Sequence, residues 1–270
     1  MSHRIIVFIS ALFCITALAY ASIQPGSGRD WENPAVFTRG QEEAHTPLAP
    51  FNSVEQALGY DKFNSPWLHS LNGEWKFSWF SSPVQAPADF YQPNYNVNTW
   101  PTIQVPGNWQ MQGFGHPLFR NIQQPFISRP PFVPDDYNPV GLYRRTFTIP
   151  ASWNGRQVFL HFEGVHSASQ VWVNGVEAGY NQGGMEPAEY NITPLLQAGN
   201  NTLAVRVYRY SDGAYLEDQD MWRLSGIYRH VYLYATPAVH LRDFFIWPDL
   251  DKNYQNGLLK IMAQVKNFAS

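Results

Sequence analysis

The sequence predicts an all-β protein, a β-sandwich of the jelly-roll kind. Aromatic residues make up 16% of the 270-residue chain and charged residues only 14%, alongside 19 Gly and 21 Pro. A helical bundle would instead be rich in Ala, Leu, Glu and Lys. Short segments of alternating polar and apolar residues also recur with turn residues between them, as the strands of a sandwich do.

The first residues have the pattern of an export signal. Arg4 supplies a positive start, residues 5–19 form an apolar run, and Ala19-Tyr20-Ala21 is a small-x-small cleavage pattern. The run is too short to span a membrane comfortably. We therefore predict a signal peptide over residues 1–21 and a periplasmic or secreted protein, with no membrane association after the signal is removed. Because the only cysteine, Cys14, lies in the signal, we expect no disulfide and no thiolate metal site.

The next part of the chain is expected to be extended at first and then strand-forming. Residues 22–50 are polar without a clear period, which indicates an extended segment rather than a domain. A short helix is expected around residues 53–58. Residues 74–79 alternate polar and aromatic side chains, as a half-buried strand does. Residues 101–139 hold eight prolines, which predicts long loops packed on a scaffold.

A series of short strands is predicted after these loops. Asn174-Gly175, the strongest hairpin dipeptide, is expected to join two of them, and a brief turn is expected around residues 191–196. The strands are predicted over residues 142–149, 157–162, 168–173, 176–180, 202–208 and 230–234.

Pro237 marks a predicted domain boundary. After it, residues 239–246 and 257–265 form two further strand-like runs, and 33 residues in all follow Pro237. A sandwich of the immunoglobulin type needs about 100 residues. We therefore expect residues 238–270 to begin a second domain that this chain does not complete.

Eight short blocks carry a family resemblance. They are Asp30-Trp31-Glu32-Asn33-Pro34, Leu71-Asn72-Gly73-Glu74-Trp75-Lys76-Phe77, Val105-Pro106-Gly107-Asn108-Trp109-Gln110, Pro130-Pro131-Phe132-Val133-Pro134, Asn138-Pro139-Val140-Gly141-Leu142-Tyr143, Phe162-Glu163-Gly164-Val165, Ser211-Asp212-Gly213-Ala214-Tyr215-Leu216-Glu217-Asp218-Gln219-Asp220-Met221-Trp222-Arg223 and Ser225-Gly226-Ile227-Tyr228-Arg229. In this order they resemble the N-terminal region of the large beta-galactosidases of glycoside hydrolase family 2. One block would be a weak signal, whereas this many in the right order is a specific one.

The resemblance implies a domain plan and an activity. It implies a jelly-roll sugar-binding domain over residues 51–237, the beginning of an immunoglobulin-like domain over residues 238–270, and a catalytic (β/α)₈ barrel outside this chain. The full-length enzyme would be a retaining hydrolase of terminal beta-D-galactosides and would form homo-oligomers, with residues 30–34 similar to a segment used at subunit contacts. Sodium and magnesium are implied for the full-length enzyme, and no cofactor for this fragment alone.

No catalytic residue is expected in this chain. Retaining hydrolysis needs an acid and a carboxylate nucleophile about 5 Å apart, which in the family are two glutamates on the barrel. A barrel needs about 250 residues with βα alternation, so the fragment is expected to be inactive alone. The carboxylates of Glu217, Asp218 and Asp220 are predicted to pair with Arg223 or Arg229, or to cap backbone amides.

Three residues are expected to bind substrate. Sugar hydroxyls need carboxylate and amide partners, and the resemblance implies such a role for Asn121, on the Pro-rich loop beside Ile122. It also implies that Asp212 contacts the sugar and helps to hold a sodium ion, for which carboxylate oxygen is a suitable ligand. From the residues alone, an Asx-turn before Gly213 is the favoured role of Asp212.

Other side chains give weaker signals. Trp109, Trp222 and Tyr215 are candidates for stacking on sugars, although most aromatic residues in a sandwich belong to its core. Three of the eight histidines, His116, His161 and His166, have no defensible metal-ligand spacing. The formal net charge is −3 with no basic block, which argues against nucleic-acid binding.

Two other functions remain open at this point. The chain is either part of such an enzyme or a stand-alone carbohydrate-binding module, in which case the isolated chain would bind galactosides measurably. A family 2 enzyme of other specificity, for a glucuronide or a mannoside, is the third possibility. The gene sequence downstream of Ser270 would discriminate best among them.

Overall fold

A computed structural model of the chain describes residues 29–120, 124–217 and 220–269. The predicted signal peptide with Cys14, and the predicted substrate-binding residues Asn121 and Ile122, lie outside the described residues. Within the described ranges the structure is almost entirely antiparallel β, with short 3₁₀ turns and one α-helix, α1 (Val54–Ala57). The helix begins where the Ser53 hydroxyl accepts a hydrogen bond from the Gln56 amide at 3.3 Å, which is a favoured N-cap arrangement. It lies where the sequence predicted a short helix.

The strands of the described residues alternate with turns along the whole chain. In chain order they are β1 (Thr38–Arg39), β2 (Leu68–Ser70), β3 (Gly73–Phe80), β4 (Thr102–Val105), β5 (Leu118–Arg120), β6 (Val140–Thr148), β7 (Gln157–Phe162), β8 (Val165–His166), β9 (Ala168–Val173), β10 (Val176–Asn181), β11 (Ala188–Asn191), β12 (Asn200–Tyr208), β13 (Met221–Arg223), β14 (Gly226–Ile227), β15 (Val231–Thr236), β16 (Val239–Leu250) and β17 (Gly257–Asn267).

Two sheets form the sandwich. The larger has the strand order β1-β10-β9-β12-β6-β3-β4, and the smaller has the order β11-β7-β15-β2. Their inner faces meet in one apolar cluster, to which the larger sheet contributes Trp75, Tyr143 and Val205 and the smaller contributes Leu160 and Leu233. Since each sheet buries one face against the other, the pair makes the layered sandwich that the sequence predicted. Three two-stranded ribbons, β5–β13, β8–β14 and β16–β17, extend from it.

The outer face of the larger sheet is also covered. Tyr91 stacks on Trp172 with ring centroids 4.9 Å apart, and Arg144 is buried beneath the same loop, where it donates hydrogen bonds to the carbonyls of Phe90 and Gln92. This second layer explains why β6 is buried over five consecutive residues, from Val140 to Arg144, rather than at alternate positions.

The predicted hairpin at Asn174-Gly175 is confirmed. Both residues have positive φ, 53° and 84°, and Val173 pairs directly with Val176 across the turn. Positive φ at both central positions is the requirement of the two-residue turn that matches strand twist, and Asn-Gly meets it with little strain. This turn therefore fixes the register of β9 and β10 next to the turn, before the register shifts between Glu177 and Gly179.

Three strands lie where the sequence predicted extended or loop structure. β1 lies in the segment predicted to be extended, and it adds an edge strand to the larger sheet through Thr38 and Asn181. β4 and β5 lie within the predicted loops of residues 101–139. A strand of two to four residues has too few positions to show a period, and it forms because a partner strand is available.

The ribbon β16–β17 is joined to the sandwich by buried charges. Arg242, on β16, donates a hydrogen bond of 2.6 Å to Glu189 of β11. Both are buried, and Glu189 also accepts from His161 at 2.9 Å. On β17, Lys266 pairs with Glu42 of the N-terminal segment. Beyond these contacts the ribbon exposes apolar side chains, among them Phe245 and Trp247.

Candidate functional site

Asp212 lies where the larger sheet ends in a tightly held turn. After β12 the chain enters a 3₁₀ turn over Asp212–Tyr215. Just before it, the buried Asn138 exchanges two 3.0 Å hydrogen bonds with the backbone of Tyr210. The Ser211 hydroxyl, fully buried, lies 3.1 Å from that of Ser167. These contacts fix the backbone on which the Asp212 side chain is carried.

The two carboxylate oxygens of Asp212 have different environments. Oδ1 accepts a hydrogen bond of 2.7 Å from the side-chain amide of Gln182. Oδ2 is buried and accepts no hydrogen bond from the described part of the chain. Burial raises the pKa of Asp212, while the Gln182 hydrogen bond and nearby backbone amides oppose that rise. A buried acceptor without a partner costs about 1–3 kcal/mol, so Oδ2 is an oxygen that a donor or cation would stabilise.

The Pro-rich loop is held on both sides of Asn121 and Ile122, and the part after them contacts the Asp212 turn. Before them, Phe119 of β5 pairs with Trp222 of β13. After them, Phe126 contacts the rings of Tyr210 and Tyr215 edge-on, with centroids 5.0 and 5.8 Å apart. Phe126 thus brings the part of the loop that follows Asn121 and Ile122 into contact with Tyr215 of the Asp212 turn. Asn121 and Ile122 themselves lie outside the described residues, so their binding role stays a prediction.

A second loop holds the Asp212 turn from the other side. Residues 182–184 connect to the turn twice, through the Gln182 amide on Asp212 and through the Gly184 backbone amide, which donates to Glu217. A Cβ on Gly184 would lie 2.8 Å from Nδ1 of His166. Glycine at this position therefore permits the loop to pack closely against His166 of β8.

A small buried cavity lies behind the turn. Its volume is about 20 Å³, enough for one water molecule, and its lining includes His166, Arg209, Glu217 and Ser225. Burial, together with the charges of Arg223 and Arg209, lowers the pKa of His166 to about 4. His166 is therefore neutral at neutral pH. Burial raises the pKa of Glu217 to about 6, against the hydrogen bond from the Gly184 amide.

Of the predicted carboxylate cluster, the structure describes Glu217 and Asp220. Glu217 accepts a backbone amide, as the sequence prediction allowed, and Asp218 lies outside the described residues. Among the residues that the structure describes, no group of three or more His, Cys, Asp or Glu side chains is arranged to hold a metal ion. Asp212 therefore belongs to no such group within the described ranges.

The aromatic candidates separate clearly by burial. Trp109 is fully buried in the core and is not available to a sugar. The Tyr215 hydroxyl is held by the Phe132 carbonyl and the Arg129 amide. Trp222 is 56% exposed, and it contacts the half-exposed Phe119 with ring centroids 5.7 Å apart. An exposed aromatic pair on a ribbon that flanks the Pro-rich loop is a surface on which a sugar ring can stack.

Gln182 and Tyr180 were not identified from the sequence. Tyr180 donates a 2.7 Å hydrogen bond to Gln182 Oε1, and Gln182 in turn donates to Asp212. The glutamine lies 30 residues before the aspartate, with no local pattern that connects the two. A glutamine ahead of Gly183-Gly184, in the connection that crosses from the larger to the smaller sheet, is the only local signal, and it does not indicate a direction or a partner.

Comparison of the sequence with protein families finds a match over most of the sandwich. The model described as glycosyl hydrolases family 2, sugar binding domain, matches residues 68–237. The beta-galactosidase of Priestia megaterium is 43% identical over 244 residues, which cover 88% of this chain and 24% of that protein. That of Vibrio vulnificus strain CMCP6 is 45% identical over 238 residues, which cover 88% of this chain and 23% of the relative. The chain thus spans about a quarter of the length of these relatives.

Comparison with solved structures finds the same sandwich in glycosidases. A crystal structure of a Bacteroides uniformis beta-glucuronidase matches with a TM-score of 0.59 and 25% identity, over 75% of this chain and 22% of that one. The beta-glucuronidase of Bifidobacterium dentium, complexed with coumarin-3-O-glucuronide, matches with a TM-score of 0.56 and 21% identity, over 74% of this chain and 36% of that one. The second similarity shows the fold alone. Together with the strand topology, these matches confirm the predicted all-β sandwich.

Proposed function

The chain belongs to glycosyl hydrolase family 2 and corresponds to the N-terminal, sugar-binding part of such an enzyme. On this premise we propose that it completes the active site of an exported, retaining beta-galactosidase. The chain supplies loop residues to a sugar pocket whose acid and nucleophile lie in a catalytic barrel of the same polypeptide. The observation that carries the proposal is the Asp212 carboxylate, which is anchored through one oxygen and unpartnered at the other within the described residues.

Asp212 is proposed to act on the sugar through Oδ2. A sugar hydroxyl that donates to this oxygen would supply the hydrogen bond that the described residues do not. Because Oδ2 is enclosed, we expect the surrounding loops to open when substrate binds. Asn121 and Ile122 are proposed to line the same pocket, since Phe126, which follows them on the loop, contacts Tyr215 of the Asp212 turn.

A sodium ion fits the same carboxylate. Oxygen is the ligand type that such a hard cation prefers, and the buried, unpartnered Oδ2 offers it. A bound sodium ion would supply positive charge that holds a sugar oxygen beside the protein. Its other ligands would come from backbone oxygens, from the substrate or from the rest of the polypeptide, because Asp212 belongs to no described group of three or more ligating side chains. Magnesium is proposed only for the full-length enzyme.

This chain alone is proposed to be inactive. The reaction needs two carboxyl groups about 5 Å apart across the sugar bond. The described acid nearest to Asp212 along the turn is Glu217, whose carboxyl lines the small cavity behind the turn, where there is space for one water molecule. Asp212 does not line that cavity, so we do not propose Asp212 and Glu217 as a catalytic pair.

The proposal is tested with Asp212→Asn in the full-length polypeptide. The substitution keeps the shape but replaces the charged acceptor, so kcat/KM for a galactoside should fall about 10- to 100-fold, as expected for a hydrogen bond to a charged group. The response of activity to added sodium should fall with it. Steady-state kinetics with galactoside, glucuronide and mannoside substrates also measure the sugar preference.

The matched control is Asp89→Asn, since Asp89 is exposed and outside the site. Its kinetics should equal those of the unmodified enzyme. Unchanged kinetics and sodium response in a folded Asp212→Asn enzyme would refute the role of Asp212. Calorimetric binding of galactosides by the chain alone, at millimolar affinity or tighter, would favour a stand-alone module instead.

A further inference from the structure

Asp212 is the end of a buried chain of hydrogen bonds. The Tyr180 hydroxyl donates to Gln182 Oε1 at 2.7 Å, and Gln182 Nε2 donates to Asp212 Oδ1 at 2.7 Å. All three residues are buried, with Tyr180 fully buried in an aromatic cluster beside Tyr208. In such surroundings the geometry of a polar group is set by its few partners rather than by water.

The direction of the Gln182 amide is determined by its two neighbours. Burial raises the pKa of Tyr180 well above its usual value, so its hydroxyl keeps its proton and is able to donate. The Asp212 carboxylate, when ionised, only accepts. With the amide reversed, Gln182 Oε1 would face a carboxylate oxygen at 2.7 Å, which is repulsive. The carbonyl of Gln182 therefore faces the tyrosine and its NH₂ group faces the aspartate.

The backbone around Gln182 is held as firmly as its side chain. The backbone amide of Gln182 donates a hydrogen bond to the Phe37 carbonyl at 3.2 Å. This contact lies next to the pairing of Thr38 with Asn181. The Asn181 side chain accepts from the Gly183 amide at 2.8 Å. The N-terminal segment thus fixes the loop, and the loop presents the amide to Asp212.

We propose that Gln182 is a positioning residue, which binds Oδ1 of Asp212 and leaves Oδ2 as the oxygen that accepts from the sugar or binds the cation. Tyr180 acts one step further away, because it fixes the direction of the amide. This inference rests on the proposed function of Asp212. It adds a specific claim, namely that the orientation of the carboxylate, and not only its presence, determines substrate binding.

The first test is Gln182→Glu in the full-length polypeptide. The second carboxylate faces Asp212 at hydrogen-bond distance, so the two repel when both are ionised and share a proton when the pH is lowered. The other acid that acts on Asp212 is Glu32, from the N-terminal turn, which also disfavours its charge. We expect kcat/KM to fall about 10- to 100-fold near neutral pH. The ratio of variant to unmodified kcat/KM should then recover at lower pH, where a protonated Glu side chain donates to Asp212.

The second test uses a matched pair of tyrosines. Tyr180→Phe removes the hydroxyl that orients Gln182. Tyr208→Phe removes an equally buried hydroxyl from the same cluster, but that hydroxyl donates to Gln170 at 2.8 Å. Both changes should lower the thermal unfolding temperature by similar amounts. Only Tyr180→Phe should raise KM, by about 2- to 10-fold for the loss of one neutral hydrogen bond.

The outcomes separate this inference from the proposed function. If Asp212→Asn is impaired while Tyr180→Phe behaves like Tyr208→Phe and Gln182→Glu shows no pH-dependent recovery, the positioning role is wrong and the Asp212 role stands. If Asp212→Asn is unimpaired, the proposed function falls and this inference falls with it. A Gln182→Glu enzyme that is folded and has unchanged kinetics at every pH also overturns the inference.

Discussion

The Glu217 carboxyl group is partly buried, in surroundings that disfavour its charged form. Burial raises its pKa to about 6, against the hydrogen bond from the Gly184 amide. Its Oε2 is enclosed and has no hydrogen-bond partner among the described residues. The charged form is therefore the unfavourable one in the folded state, and the folded protein binds this proton more tightly than the unfolded chain does.

The replacement Glu217→Gln should make stability less dependent on pH. Because the folded pKa lies above the unfolded one, the stabilisation from protonated Glu217 is present below about pH 4.5 and is lost as the pH rises through about 6. This rise in the pKa of Glu217 corresponds to a stability difference of about 2 kcal/mol, which partial solvent exposure reduces to about 1 kcal/mol. Thermal unfolding at pH 5 and pH 8 measures this difference in stability. At pH 8 the variant should unfold at a higher temperature than the unmodified protein.

The control for this change is Glu186→Gln, on the neighbouring loop. Glu186 is exposed, so its replacement should leave the difference between pH 5 and pH 8 unchanged. Equal pH dependence in Glu217→Gln and the unmodified protein would show that the Glu217 carboxyl is not desolvated.

Predictability from sequence differs sharply among the residues of the site. Asp212 was predicted because it lies within the longest block of family resemblance, although the residues alone favoured a turn. Gln182 was not predicted, since its partner is 30 residues away and joins it only through the fold. Trp109 has the same residue type as Trp222, but Trp109 is buried and Trp222 is 56% exposed. Burial of a tryptophan depends on what packs over it, and the local sequence does not encode that.

At the scale of elements, a buried ion pair between Arg242 and Glu189 joins the ribbon β16–β17 to the sandwich. Burial alone would raise the pKa of Glu189, but the hydrogen bonds from His161 and His45 and the charge of Arg242 hold it well below its usual range. A carboxyl group with a depressed pKa contributes stability above its ordinary pKa, and this contribution is lost only as the pH falls towards the folded value. The contact should therefore persist across the whole neutral range.

The substitution Arg242→Met should be strongly destabilising. It keeps much of the side-chain volume but leaves Glu189 charged and buried without its cation, which costs about 3 kcal/mol or more. Urea unfolding at neutral pH, followed by fluorescence, measures the change in free energy.

The matched control is Lys266→Met, from the Lys266–Glu42 pair on the same ribbon. This pair is more exposed, with 29% and 15% of the side chains accessible, so we expect a loss of about 1 kcal/mol or less. Equal losses in the two variants would mean that the buried pair does not anchor the ribbon.

The elements themselves followed the local pattern wherever a strand was long enough to show one. The predicted strand over residues 157–162 is β7, and that over residues 168–173 is β9, each with the predicted bounds. Both are six residues long, enough for the side-chain pattern to be distinct. β1, with two residues, was not predicted, because its formation depends on the free edge of β10.

At the scale of the whole molecule, the two sheets of the sandwich cover each other's inner faces, whereas the ribbon β16–β17 leaves apolar side chains exposed. Its exposed apolar side chains lie on both faces, with Phe245 49%, Ile246 44% and Trp247 47% exposed. A two-stranded ribbon of this kind is marginal in water unless other strands cover it.

The described residues contain no helix long and apolar enough to cross a membrane.

The chain studied alone should self-associate through this ribbon. Association should decrease in the double variant Ile246→Thr, Trp247→Ser, because an exposed apolar patch drives it. Light scattering after size-exclusion chromatography, over a range of protein concentrations, measures the apparent mass. Val176→Thr is the control, since Val176 is 53% exposed but lies on β10, away from the ribbon. A mass independent of concentration in the unmodified chain would contradict the prediction.

The amino-acid sequence by itself determined the β class, the longer strands and the Asn174-Gly175 turn. Through the family resemblance it also made Asp212 a candidate substrate-binding residue. These features depend on neighbouring residues, whose alternation and turn preferences act within a few positions. Only the tertiary structure decided that β1 closes the sheet edge, that Glu189 anchors the ribbon and that Tyr180 and Gln182 orient Asp212. Each of those contacts joins residues from separate elements, and it exists only because packing brings their buried polar groups within hydrogen-bond distance.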